Sequence, residues 1–167
     1  WPLSCKGSGL ARERMAKMIG VTSIAAVEDQ MVVTFRNIDG QSQFLEEVFL
    51  EIAKVDVNLD MISLTSSEDA TCSFSFTTSN RYYAKVVEVL GAIRRDFPAV
   101  KFSISDGYAK LVAEGEEMQF RPGVAAAVIA AVKQSGASIA MITTSETDIS
   151  LLLPAEGLGA AKAALER

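Results

Sequence analysis

Apolar positions along the chain alternate between a helical and a strand period, and the changes of period mark out the elements. Residues 31–36 form an apolar, β-rich run, followed by a polar loop over residues 37–43. Phe44, Leu45, Val48, Phe49, Ile52 and Ala53 then recur on one helix face, with Glu46, Glu47 and Glu51 outside it. Residues 57–64 set Val57, Leu59 and Met61 against Asn58, Asp60 and Ile62, which predicts a strand with one fully buried face. After a turn at 66–69, Cys72, Phe74 and Phe76 alternate with serine and threonine, the pattern of a half-buried strand over 71–77. Asn80 opens a helix with the stripe Tyr82, Val86, Val89, Leu90 and Ile93, closing near Phe97–Pro98. A short strand over 100–104 completes the order βαββαβ.

The pattern then repeats. At a shift of 80 residues Phe44, Val48, Phe49 and Ile52 fall on Val124, Val128, Ile129 and Val132, and Leu59, Met61 and Ile62 fall on Ile139, Met141 and Ile142. Ser67–Glu68 matches Ser145–Glu146 at a shift of 78, so the connecting turn is two residues shorter in the second copy. A period this long indicates two copies of one small domain, not a solenoid. The second copy reads as strand 108–114, helix 122–135, strand 137–143, strand 149–153 and helix 155–165. Pro122 suits a helix first turn and Gly136 a helix end.

The second copy lacks a sixth element. The extended segment 21–27, Val-Thr-Ser-Ile-Ala-Ala-Val, belongs to neither copy, and an open sheet edge is a liability. The expectation is that this strand completes the second domain, so that the first is inserted within it. The predicted fold class is α+β: two βαββαβ, ferredoxin-like domains in tandem, with antiparallel sheets and helices on one face. The boundaries are 28–105 for the first domain and 21–27 plus 106–167 for the second. Residues 1–20, whose stretch from Lys6 to Lys17 is basic, are left as the end of a preceding part, a linker or a tag.

Composition narrows the chemistry. Of 167 residues, 49% are apolar and 22% charged, enough for packed cores. The net charge of -5 disfavours nucleic acid or an anionic membrane as partner. The absence of histidine removes Ser-His-Asp and Cys-His nucleophiles and the common His-containing zinc sites. Cys5 and Cys72 make neither a disulfide framework nor a metal site, which points to a reducing, cytoplasmic setting. The longest apolar run, Val124 to Val132, is nine residues, too short to span a membrane.

The stretch Phe44-Leu-Glu-Glu-Val-Phe49, followed by Val57-Asn-Leu-Asp-Met-Ile62 and Ser67–Glu68, resembles the effector-binding core of an ACT domain. The second copy supplies Arg121-Pro-Gly-Val124, Ile139-Ala-Met-Ile142, Thr144-Ser-Glu146 and Ile149–Ser150. Two such domains preceded by the strand at 21–25 are similar to the C-terminal regulatory region of aspartate kinases, with the lysine-responsive branch favoured. The resemblance implies a parent enzyme that phosphorylates L-aspartate with ATP, and Mg, in a preceding amino-kinase domain, the first step toward lysine, threonine and methionine. It implies an amino-acid effector, lysine or threonine, at an interface between ACT domains of a homodimer, and no cofactor in this region itself. Without the kinase domain the chain is expected to be inactive.

Carried over position by position, the resemblance places Ile38, Gln41, Phe44 and Leu45 at loop and helix-start contacts. Leu59 and Asp60 fall on strand contacts, and Thr65 and Ser66 on the turn after it. A helix start suits the effector carboxylate, while Asp39 and Asp60 are candidates for its ammonium. Glu68 or Asp60 across a dimer interface suits a lysine ε-ammonium. Plainer readings stand beside these: Phe44, Leu45 and Cys72 as core, Asp60 as a solvated edge residue, Glu68 as a turn carboxylate. Arg121–Pro122–Gly123 reads as a helix start, with no second effector site. Three rivals are an ACT sensor with another owner, an RNA-recognition-like module with Phe74 and Phe76 exposed on the third strand, and an acyl-phosphate hydrolase built on Arg36–Asn37.

Overall fold

The computed structural model describes residues 20–38, 41–66 and 71–166. They divide into two compact units: Asp29–Tyr108, and the residues up to Glu28 together with those from Ala109 onward. The strands β1 (Ser23–Ile38) and β4 (Lys101–Glu114) contribute to both. The sequence pattern predicts each as two separate strands, with breaks at residues 28–30 and 105–107. The backbone instead runs through as one strand, absorbing the breaks at single residues with positive φ, Asp29 at 59° and Gly107 at 76°. Asp tolerates this conformation better than most non-glycine residues, and the Asn80 side-chain amide holds the Asp29 carboxylate at 2.8 Å.

In the Asp29–Tyr108 unit the strand order is β2-β3-β1-β4, with β2 (Ile62–Ser66) at the edge and β3 (Cys72–Ser79) antiparallel to both neighbours. Helices α1 (Gln41–Lys54) and α2 (Tyr83–Asp96) pack on one face. The predicted periods explain what they bury: Phe44, Val48 and Ile52 from α1, and Val86, Val89, Leu90 and Ile93 from α2, against Met31, Val33, Phe35, Cys72, Phe74 and Phe76. The chain enters α2 through a 3-10 turn, Asn80–Tyr82, capped by Ser79 in place of Asn80, and leaves it at Phe97. In the last turn of α1, Glu51 pairs with Lys54 and its hydrogen bond holds that ammonium above the usual lysine range. A cation there also complements the helix dipole.

The strand predicted over 57–64 forms later, at Ile62–Ser66. Thr77 and Thr78 are responsible: the Thr78 hydroxyl donates to the Asn58 carbonyl (2.7 Å), and the Thr77 hydroxyl accepts from the Met61 N–H (2.9 Å). Such side-chain bonds compete with a regular ladder. Val57 and Met61 are buried as expected, but β2 itself is an exposed edge. Ile62 and Leu64 pair with Phe76 and Phe74 and so share their face, yet remain 44% and 42% exposed.

The second unit repeats the design with the order β1-β4-β6-β5. After a 3-10 turn at Glu116–Phe120 come α3 (Val124–Gln134), β5 (Met141–Thr144), β6 (Asp148–Pro154) and α4 (Leu158–Leu165). Both helices start later than their periodicity suggested. Gly123 caps α3 in the left-handed region at φ 94°, and a 3-10 turn at Ala155–Gly157 precedes α4. The helix residues buried in the first copy, Phe44, Val48 and Ile52, are matched by buried Val124, Val128 and Val132 at the same shift of 80. The units are two ferredoxin-like folds, one interposed in the chain of the other.

Candidate functional site

The residues singled out in the first copy come to two corners of its sheet. Ile38 ends β1 after a register shift that follows Phe35, with Asn37 in the left-handed region at φ 60°. It pairs with Cys72, whose Sγ lies 3.7 Å from the Ile38 carbonyl oxygen, and Cys72 in turn pairs with Ser66. Ile38, Thr65 and Ser66 thus share one end of the sheet, and α1 begins at Gln41 just after β1 ends. Thr65 and Ser66 are exposed; Ile38 is buried. Asp39 and Glu68 lie outside the described residues.

Leu59 and Asp60 lie at the other end. The Asp60 N–H donates to the Thr77 carbonyl at 2.9 Å, and Asp60 is exposed. Thr77 is five residues along β3 from Cys72, about 17 Å at the strand rise. One copy of the chain therefore does not gather these residues into a single pocket. Phe44 is fully buried between Phe35 and Phe97, each ring 5.2 Å away edge-on, and Leu45 and Leu59 pack against the same core. Their side chains belong to the core.

A cleft of about 430 Å³ occupies the corresponding corner of the second unit, between the start of α3 and the end of β5. Its walls include Met118, Arg121, Val124 and Ala125 on one side and Thr144, Ser145 and Glu146 on the other. No side chain caps α3 and no acidic residue lies in its first turn, so its leading N–H groups carry the helix's positive end. Arg121 adds a guanidinium, paired with Glu117 at 3.2 Å. The opposite wall is a tight turn: the Ser145 N–H donates to the Asp148 carbonyl (2.9 Å), and the Ser145 hydroxyl accepts from the N–H groups of Thr147 (3.2 Å) and Asp148 (3.1 Å). The cleft thus sets positive groups on one wall against the Glu146 carboxylate on the other.

Read along the chain, Arg121–Pro122–Gly123 announced only a helix start. The signal that finds the cleft is the repeat itself, which matches Arg121 to Gln41 at the shift of 80 and Thr144 to Ser66 at the shift of 78.

The RNA-recognition reading fails here, because Phe74 and Phe76 are each 1% exposed and belong to the helix-facing core. Asn37 donates its amide to the Ala99 carbonyl at 3.2 Å, a structural tie and not an anion loop. No helix among the described residues is long and apolar enough to cross a membrane, and no group of three or more Cys, Asp or Glu among them could hold a metal ion.

A protein-family model described as ACT domain matches residues 111–167. An aspartokinase of Mycolicibacterium smegmatis is 29% identical over 147 residues, covering 87% of this chain and 35% of its own length. Aspartokinase 2 of Bacillus subtilis is 31% identical over 129 residues, covering 77% of this chain and 31% of its own. The chain thus spans about a third of the length of the curated relatives it matches. Among solved structures, the ligand-free regulatory subunit of aspartate kinase from Thermus thermophilus superposes with a TM-score of 0.81 at 27% identity, covering 87% of this chain and 96% of that one. Fold, repeat and relatives agree: the chain is an ACT-domain regulatory region of the aspartate kinase kind.

Proposed function

We propose that this chain senses an end-product amino acid, lysine first and threonine second, and passes its bound state to an amino-kinase domain. That cytoplasmic parent enzyme phosphorylates L-aspartate with ATP and Mg, while the sensor region does no chemistry of its own. The observation that carries the reading is the cleft at the start of α3. An α-amino acid carries a carboxylate and an ammonium close together. The helix start and Arg121 complement the first, Glu146 the second, and about 430 Å³ leaves room for a side chain. Control follows by population shift: the effector moves the equilibrium by its difference in affinity for two states, typically about 1–3 kcal/mol.

The first unit contributes through a second copy of the chain. Strand β2 is an edge, with Ile62 and Leu64 half out of the core. Antiparallel pairing of two β2 strands about a two-fold axis would set Leu59 and Asp60 of one copy beside Thr65 and Ser66 of the other. That joins the two corners that one copy keeps apart. Light scattering is expected to report a dimer at tens of micromolar, and Leu64→Asp a monomer. A monomeric parent chain, with and without amino acids, would refute the pairing.

The effector is tested by calorimetric titration of the chain with lysine, threonine, methionine and, as control, alanine. Saturable heat is expected for lysine. Arg121→Ala and Glu146→Ala, the charged groups on the two walls of the cleft, should each weaken it at least about tenfold, the usual effect of losing one charged hydrogen bond. Heat from threonine alone would keep the sensor and reject lysine. Silence from all four would reject the sensor.

A further inference from the structure

Two glycines of the second unit meet where the chain enters β1. A Cβ on Gly115 would overlap the carbonyl oxygen of Gly20, so the two backbones cross with no room for a side chain. Gly20 has φ +72°, and a Cβ there would lie 3.3 Å from Cγ2 of Val124 and 3.5 Å from Cδ of Arg121, two residues of the cleft wall. Just beyond the crossing, the Thr22 N–H and hydroxyl both donate to the Glu114 carbonyl at 2.7 and 3.2 Å. The Ser23 hydroxyl donates to the Glu114 carboxylate at 2.7 Å. On its other side, the Gly115 N–H donates to the Thr147 carbonyl at 2.8 Å, inside the turn that forms the opposite cleft wall. Gly20 therefore rests on one wall of the cleft and, through Gly115, is tied to the other.

We propose that the Gly20–Gly115 crossing is the junction through which the state of the cleft reaches the chain preceding β1. The inference rests on the reading of the cleft as an effector site and adds the route by which its occupancy leaves the unit. Close-packed backbone does not deform smoothly. A shift of the Ser145–Asp148 turn moves Gly115 through its hydrogen bond, and Gly115 cannot move toward Gly20 without displacing that carbonyl. Gly20 then follows.

Amide hydrogen exchange on the 167-residue chain tests the junction. Without any amino acid, Ser145→Ala removes the hydroxyl that accepts from Thr147 and Asp148. Exchange should then rise at least about fivefold at Thr147 and Asp148, each of which loses one hydrogen bond to that hydroxyl, and also at Gly115 and, remotely, at Thr22. Faster exchange confined to the turn overturns the proposal. Asp148→Ala, which removes the carboxylate that accepts from the Ser145 and Ser150 hydroxyls, is read at the same amides if Ser145→Ala does not fold. With saturating lysine or threonine, Val124 and Ala125 should slow, and Thr22 with them. Slowing at the cleft without Thr22 overturns the junction and leaves the sensor standing. Coupling in Ser145→Ala without any response to amino acids upholds the junction and rejects the effector reading of the cleft.

Discussion

Phe35→Ala is expected to lower the stability of the Asp29–Tyr108 unit by about 3–5 kcal/mol, the range for truncating a fully buried aromatic. Phe35 is fully buried and touches four other rings: Phe44 at 5.2 Å, Phe74 at 6.1 Å, Phe76 at 6.3 Å and Phe102 at 6.5 Å. Those rings come from α1, β3 and β4, so truncation leaves a cavity that no single element can close. Aromatic pairs contribute about 0.5–1.5 kcal/mol each beyond their buried area. Against a domain stability of about 5–15 kcal/mol, the loss is a large fraction of the whole. The reading is a fall in the urea midpoint with little change in slope. Phe49 is the control: it is 40% exposed and, among the described rings, stacks edge-on against Phe74 alone, at 5.7 Å. Its alanine variant should lose about 1 kcal/mol. Equal losses at the two positions would refute the hub.

The second large effect is expected at Val128→Asp, about 4–5 kcal/mol, at the upper end for single substitutions. Val128 is fully buried midway along α3, among Leu111, Leu151 and Leu153, where a carboxylate finds no partner among the core residues. Burial favours the protonated form, which raises the folded-state pKa of the introduced carboxyl above its unfolded value. The unfolded chain then releases its proton at lower pH than the folded one, so the deficit grows as pH rises through the carboxylate range. Urea titrations at acidic and neutral pH check both size and sign. Val48→Asp should behave alike, because Val48 occupies the matching buried position 80 residues earlier.

That equivalence shows what the sequence carried well. Helix faces repeat with a fixed shift because each must present the same stripe to its own sheet, and Phe44, Val48 and Ile52 predict Val124, Val128 and Val132. Strand β3 was legible for a similar reason, its serines and phenylalanines alternating with the pleat. The continuity of β1 and β4 was not, since Asp29 and Asp106–Gly107 are turn residues in most settings and only the finished structure uses them inside a strand. The start of β2 was obscured because Thr77 and Thr78, distant in sequence, capture the backbone at Asn58 and Met61. At the candidate site, local pattern identified a loop, a helix start and a strand. It could not say that Asp60 and Ser66 stand at opposite ends of the sheet, because that depends on which part of β3 each meets. The cleft at Arg121 and Glu146 was missed for the same reason: its walls are brought together by the fold.

The tie between Thr22 and Glu114 joins residues 92 positions apart. On a ribosome adding about 5–20 residues per second, Thr22 emerges some 5–18 s before its partner. Until then, the strand at Ser23–Glu28 waits unpaired while the interposed unit Asp29–Tyr108 is made. The order of synthesis therefore asks the inner unit to fold first. Once folded, it holds the outgoing strand beside the incoming one and shortens the loop that the last pairing must close.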